Sequence, residues 1–272
     1  MKKSIVSFAL IGLLYTHAEV IDKIVATVNN IPVTSYEVEK LSKNLNISND
    51  KALQILLDQK LIQSEIKRRG IEVDDFEIEN AMEKIAKRNG LSLFEFKNIL
   101  MQKGQYKELR KKIKDDLLKE KLFNEIVQTK LKVTPEEIKN YYENHKDEFK
   151  VFKNIQVTKY SANNKQILNE VKKNPLANAK VKTETAVFDY NELPLGLLFL
   201  FKQTKAGEFT PVINDGLNYS MYFIARKDGT DYIPFDKVKN IIANKLISQK
   251  REMILKDYFN KLKNKAYIKL YN

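Results

Sequence analysis

The stretch VIDKIVATVNNIPVTSYEVE, residues 20–39, contains in one run both kinds of element from which the chain is built. Residues 22–29 alternate and are rich in β-branched side chains, which predicts a strand. Asn29 and Asn30 predict a turn directly after it. Thr34 followed by Glu37 has the spacing of a helix capping box, so a helix is predicted to begin at this point.

Downstream of this stretch, a pattern of polar cap, helix and glycine recurs as far as residue 131. The predicted helices cover residues 50–69, 74–90, 92–104, 106–131 and 135–145, the last with Pro135 at its first position. Short connections join them. The sequence therefore predicts a mainly helical N-terminal domain over residues 19–148.

The pattern changes at Phe149, where short strands begin to alternate with short helices. Strands are predicted at residues 151–160, 183–188 and 219–226, and helices at 164–173 and 193–201. These elements predict a compact α+β domain over residues 149–230.

A long helix is predicted to begin at Pro234, and the chain ends in a strand-like piece at residues 266–271. Val238, Ile242 and Leu246 lie on one face of this helix, and such an apolar stripe must be buried. We expect that face to pack against the helices of residues 50–131, so that residues 231–272 return to the N-terminal domain. The fold class predicted for the whole chain is α+β.

The first residues have the features of a secretory signal. Lys2 and Lys3 precede an apolar run at residues 5–15, and Ala18 supplies a small residue for cleavage. A membrane-spanning helix needs about 20 apolar residues, which is longer than this run. The expectation is a signal peptide over residues 1–18, cleavage after Ala18, a periplasmic location and no stable membrane insertion.

The composition argues against several functional classes. The chain has no cysteine, which excludes disulfides and thiolate chemistry, and it lacks the glycine-rich loops that cradle phosphates. Its formal net charge is +13, but lysine and glutamate are mixed along the helices, which does not favour nucleic acid as a partner. His145 is the one histidine after the signal and is interpreted as a surface residue. No cofactor or metal is predicted.

Four segments of the chain form an ordered set: residues 20–39, 53–73, 133–149 with TPEEIKNYYENHKDEF, and 238–270. Together they resemble SurA-like periplasmic chaperones that carry a parvulin-type, PpiC-like peptidyl-prolyl isomerase domain. The resemblance implies a helical chaperone module that is built from both ends of the chain, with the parvulin-like domain inserted between them. It also implies that the last strand pairs near the first.

The parvulin-like part departs from the family pattern at its catalytic positions. Asn154 stands where the first histidine is expected, Tyr222 replaces the second, and the loop with the acidic or cysteine residue is absent between Asn178 and Phe188. No catalytic residue is therefore assigned at these positions. The resemblance implies an apolar peptide-binding pocket made of Leu197, Phe199, Phe201 and Tyr222.

Three functions remain open from the sequence. The favoured hypothesis is an ATP-independent chaperone that binds unfolded or nascent exported polypeptides, in particular outer-membrane protein precursors. The alternative is an active peptidyl-prolyl cis–trans isomerase with a divergent site, and the third is an exported structural or adhesive protein. The long C-terminal helix could pack within one chain or be exchanged between two, so homo-oligomerisation also stays open.

Overall fold

The computed structural model describes residues 22–173, 181–214, 216 and 218–271. The predicted signal peptide with its cleavage site, and the first part of the loop after Asn178, lie outside the described residues. The strands are β1 (Ile24–Val28), β2 (Ile31–Thr34), β3 (Lys150–Val151), β4 (Asn154–Ala162), β5 (Lys182–Asp189), β6 (Ile213–Asn214), β7 (Tyr219–Asp228), β8 (Asp231–Tyr232) and β9 (Ile268–Leu270). The helices are α1 (Ser35–Leu45), α2 (Asn49–Arg69), α3 (Asp75–Arg88), α4 (Leu93–Gln102), α5 (Tyr106–Gln128), α6 (Pro135–Asn144), α7 (Lys165–Lys173), α8 (Leu195–Gln203) and α9 (Phe235–Lys265).

The chain divides into two compact units. Unit 1 combines residues up to Lys130 with residues from Met253 onwards, and unit 2 is the continuous segment Leu131–Glu252. The predicted α+β class is confirmed, and unit 1 is a mainly helical module made from both ends of the chain. Helix α6 belongs to unit 2, whereas the sequence placed it at the end of the N-terminal domain.

The sheet of unit 1 is formed by both ends of the chain. Strand β1 pairs antiparallel with β2 on one side and with β9 on the other. Asn29 and Asn30 form the β1–β2 turn with φ angles of 49° and 67°, which is the left-handed backbone that two-residue hairpins require. Thr34 and Glu37 form the predicted capping box at the start of α1.

Two apolar cores lie among the described residues of unit 1. The first lies between its sheet and α1 and α2, and it contains Ala26, Val28, Val33, Val38, Ala52, Leu56, Leu57 and Leu61. The second joins α3, α4 and α5 and contains Val73, Ile78, Met82 and Ile113. Helix α2 ends where the sequence predicted, because Gly70 adopts a left-handed conformation with φ at 64°.

Unit 2 is built on a four-stranded antiparallel sheet with the order β5-β4-β7-β6. Its main core includes Phe149, Ile155, Leu198, Phe201 and Ile224, all of which are buried. A smaller cluster joins the sheet to α7 through Leu168, Val171 and Met221.

The predicted packing of α9 was wrong in its first half. Val238 and Ile242 are buried in the main core of unit 2, and Leu246 packs against the same cluster. The physical reason is proximity along the chain, since Ile233 is itself part of this core and α9 begins two residues later. The second half of α9 belongs to unit 1, where Leu262 packs against the core beside the sheet and Phe259 contacts Phe123 at 5.4 Å between ring centres.

Candidate functional site

A cleft of about 480 Å³ opens on unit 1 between α2 and α5. Its lining residues are Glu37 of α1, Leu56, Gln59, Lys60, Ile62, Gln63 and Ile66 of α2, and Lys111, Asp115, Asp116, Leu118 and Lys119 of α5.

The floor of the cleft is apolar. Ile62 and Ile66 are one helical turn apart on α2, so both side chains lie on the same face of that helix. Leu118 adds a third apolar side chain from α5, and all three are half-buried. An apolar side chain of a ligand would lose contact with water on this floor, which favours binding.

The rim of the cleft carries both signs of charge. Lys111, Asp115 and Lys119 recur every four residues along α5 and are exposed. On the opposite side, Lys60 donates a hydrogen bond from Nζ to Oε1 of Glu37 at 2.7 Å. A rim of mixed charge does not select ligands by their net charge, and its polar groups can pair with a peptide main chain.

On a neighbouring face of α2, a buried carboxylate anchors the helix that forms this cleft. Glu65 has a relative exposure of 1% and accepts hydrogen bonds from Arg68 Nη2 at 2.6 Å, from Arg69 Nε at 2.6 Å and from the hydroxyl of Tyr258. Arg69 also donates to Tyr258 at 2.8 Å and to Glu125 at 2.5 Å. This network joins α2, α5 and the second half of α9.

The network sets the ionisation of Glu65. Burial alone would raise the pKa of this carboxyl, but the hydrogen bonds from Arg68, Tyr258 and Arg69 outweigh it and lower the pKa to about 2. Glu65 therefore stays charged and paired at every physiological pH.

Sequence reasoning missed both the cleft and the Glu65 network, although α2 carries a signal for each. Leu57, Leu61 and Glu65 are spaced by four residues, which puts a carboxylate on the buried stripe of the helix. Ile62 and Ile66 form a second apolar row, which indicates that α2 has an apolar surface outside its buried stripe. Among the residues that the structure describes, no group of three or more His, Cys, Asp or Glu side chains is placed to hold a metal ion.

The structure does not bring the two predicted parvulin-like positions together. Asn154 begins β4 and pairs with Asp228 of β7, whereas Tyr222 of β7 pairs with Lys159. Asn154 and Lys159 are five residues apart on one strand, so the two positions are separated by about 16 Å along the strand and point to opposite faces of the sheet. They cannot act on the same peptide bond as a pair.

The predicted pocket residues of unit 2 differ in their accessibility. Phe201 is fully buried, and Tyr222, at 8% exposure, packs edge-to-face on it with 4.9 Å between ring centres. The backbone N–H of Tyr222 donates to Oγ1 of Thr210 at 2.9 Å. Leu197 and Phe199 are half-buried and are the members of this set that another polypeptide could contact without opening the core.

Each of the two units matches a known protein family. The SurA N-terminal domain family matches residues 21–123, and the Cj1289-like C-terminal domain family matches residues 135–227. A solved structure from Campylobacter jejuni, from work on PEB4 and Cj1289 as two structurally related SurA-like chaperones, is 32% identical with a TM-score of 0.66. The match covers 92% of this chain and 99% of that one. The chain belongs to the family of SurA-like chaperones.

Curated relatives carry the names of the same family and of a related foldase. The foldase protein PrsA of Caldanaerobacter subterraneus is 26% identical over 233 residues, which are 81% of this SurA-like chain and 70% of that protein. The chaperone SurA of Legionella pneumophila strain Paris is 30% identical over 141 residues, which are 46% of this chain. The chain spans about a third of the length of the curated SurA proteins that it matches. Within the described residues, no helix has the length and apolarity that a membrane span would need.

Proposed function

We propose that this chain is an ATP-independent extracytoplasmic chaperone that holds unfolded or nascent exported polypeptides, in particular outer-membrane protein precursors. The observation that carries the proposal is the cleft between α2 and α5, with its apolar floor and its rim of both charges. An unfolded chain offers apolar side chains joined by a polar main chain, and this cleft is matched to both parts. The periplasmic location and cleavage after Ala18 belong to the same proposal.

We propose in addition that unit 2 carries a degenerate parvulin-like domain with little isomerase activity. Rotation about a prolyl bond has a barrier of about 18–20 kcal/mol, and lowering it requires polar groups fixed around the twisted amide. The separation of Asn154 and Tyr222 by about 16 Å along the sheet supports the loss of a paired site. Leu197 and Phe199 could still contact a client without catalysing its isomerisation.

Changing the cleft floor tests the chaperone proposal. We expect Ile62→Gln to weaken suppression of the aggregation of an outer-membrane β-barrel protein diluted from urea by about fivefold, because about 1 kcal/mol of apolar contact is lost. Light scattering at increasing chaperone concentration measures this effect. Lys67→Gln on the same helix lies outside the cleft lining and is the matched control.

The control should suppress aggregation as the parent chain does, and both variants should keep the parent's thermal unfolding temperature within a few degrees. A parent chain that leaves β-barrel aggregation unchanged would refute the holding function itself. Equal suppression by Ile62→Gln and the parent chain would show that clients bind elsewhere.

The isomerase alternative makes the opposite prediction for a small substrate. We expect the chain to accelerate the cis-to-trans relaxation of a proline tetrapeptide by less than a tenth of the enhancement that an active parvulin gives under the same conditions. The substrate should carry an apolar or acidic residue before the proline. Acceleration comparable to the active parvulin, abolished by Phe199→Ala, would make the enzyme hypothesis the better one.

A further inference from the structure

Strand β5 forms one edge of the four-stranded sheet of unit 2. It pairs with β4 through eight consecutive residues, from Asp189 opposite Asn154 to Lys182 opposite Ser161, without a bulge. Among the described parts of the chain, no second strand pairs with β5. Its outer edge therefore presents peptide N–H and C=O groups to which another extended chain can add.

This edge lacks most of the features that usually prevent strand addition. Natural sheets protect their edges with proline, bulges, very short strands or charged side chains. The sequence of β5, KTETAVFD, has no proline, and residues 185–188 are uncharged. Val187 has a relative exposure of 61%. The opposite edge strand, β6, is two residues long, so β5 is by far the longer of the two open edges.

We propose that the free edge of β5 binds an extended segment of a client polypeptide by strand addition. This inference rests on the proposed chaperone function and adds a second contact, outside the α2–α5 cleft. Main-chain hydrogen bonds supply the affinity in this mode, so one edge can accept many sequences. That tolerance matches the task of a protein that receives unfolded chains.

The chemistry of the edge favours a client over a second copy of the chain. Thr183, Thr185 and Val187 share one face of β5, and this row of uncharged, β-branched side chains pairs best with β-branched or aromatic residues. Unfolded β-sheet proteins contain many segments with β-branched or aromatic residues at every second position. Two copies of this basic chain, whose formal net charge is +13 with the signal residues Lys2 and Lys3 included, repel one another as they approach, whereas a neutral or acidic segment does not.

The absence of cysteine makes a direct test possible. The probe is the blocked peptide Glu-Thr-Val-Thr-Cys-Thr-Val-Glu in a thiol–disulfide buffer, with the full chain carrying Val187→Cys. Gln156→Cys is the matched control, because Gln156 pairs with Val187 from β4 and points to the same face of the sheet. An added strand would lie about 5 Å from β5 and about 10 Å from β4, beyond the reach of a disulfide.

We expect mixed-disulfide formation at Val187→Cys to exceed that at Gln156→Cys at least tenfold, after correction for the reaction of each thiol with glutathione. A second peptide carries proline in place of the two threonines next to its cysteine. It should react equally with Val187→Cys and Gln156→Cys, since proline has no N–H to donate. Thr185→Cys provides a second site on the same edge should Val187→Cys fold poorly.

Equal capture of the first peptide at the two sites, or an undiminished preference of the proline peptide for Val187→Cys, would overturn strand addition. Preferential cross-linking of Val187→Cys chains to one another would also overturn it, in favour of a second copy as the occupant. Loss of capture in a chain that still suppresses β-barrel aggregation would refute the edge proposal alone. A chain that fails to suppress aggregation would refute the chaperone function on separate grounds.

Discussion

Replacing Glu65 with glutamine is expected to lower the free energy of unfolding of unit 1 by about 3 kcal/mol at pH 7, because it removes one partner of a buried ion pair. The variant keeps the size of the side chain but removes one of the two acidic partners that Arg69, which is 20% exposed, has among the described residues, and leaves Glu125. Tyr258 also loses the charged acceptor of its hydroxyl. Urea denaturation followed by circular dichroism of the helices measures this loss.

Glu39→Gln is the matched control for this substitution. Glu39 forms an exposed pair with Lys43 at 3.7 Å, and the side chains are 61% and 79% exposed. Such a surface pair contributes about 0.5 kcal/mol or less, so the control should unfold almost as the parent chain does. If Glu65→Gln and Glu39→Gln were equally stable, the network would not anchor α2.

The effect of Glu65→Gln is expected to depend on pH in one direction. The folded-state pKa of Glu65 is about 2, below its ordinary value of 4.5, so its carboxylate stabilises the fold above pH 4.5. That contribution is lost as the pH falls from 4.5 towards 2. The difference in stability between parent and variant should therefore be constant above about pH 5 and shrink below it. A constant difference down to pH 2 would contradict the ion-pair account.

Deleting residues 253–272 is expected to have the largest effect on the fold. Unit 1 would lose the outer strand β9 of its sheet and the contacts of the second half of α9 with α2. Strand β9 pairs with β1 at Ala26, Thr27 and Val28, and the deletion leaves this edge of β1 uncovered. Leu262 and Tyr258 are lost as well. We expect unit 1 to unfold or precipitate while unit 2 stays folded.

Hydrogen exchange measured by mass spectrometry separates the two units in this experiment. Amides of α2 and α5 should lose their protection in the truncated chain, and those of β4 and β7 should retain it. Lys261→Ala, an exposed position in the same segment, is the control and should exchange as the parent chain does. Full protection of α2 after truncation would mean that residues up to Lys130 fold without the C-terminal segment.

Local signals in the sequence predicted most of the elements, because their causes lie within a few residues. Thr34 with Glu37 forms the predicted capping box, and Ser92 with Glu95 and Thr134 with Glu137 form two more at the starts of α4 and α6. Gly70 ends α2 with the left-handed backbone that its position after the helix indicated. A cap needs one side chain and the next helical turn, so no tertiary information is required to recognise it.

The site was predicted less well than the fold. The parvulin-like positions, Asn154 and Tyr222, were located by resemblance to a family pattern, and the register of β4 against β7 separates them. The α2–α5 cleft was not predicted, because an apolar residue on a helix looks the same in sequence whether a neighbouring helix covers it or leaves it open.

The sequence by itself determined the α+β class, the order of the elements and the resemblance that the comparisons confirmed. Only the tertiary structure decided that α9 divides between the two units, that Glu65 meets Tyr258 across 193 residues of chain, and that β5 remains an edge. The physical reason is that periodicity shows which face of an element must be buried but does not identify the partner. The partner is chosen by which distant surfaces pack together without leaving a charge or an apolar stripe uncovered, and this choice depends on the whole chain at once.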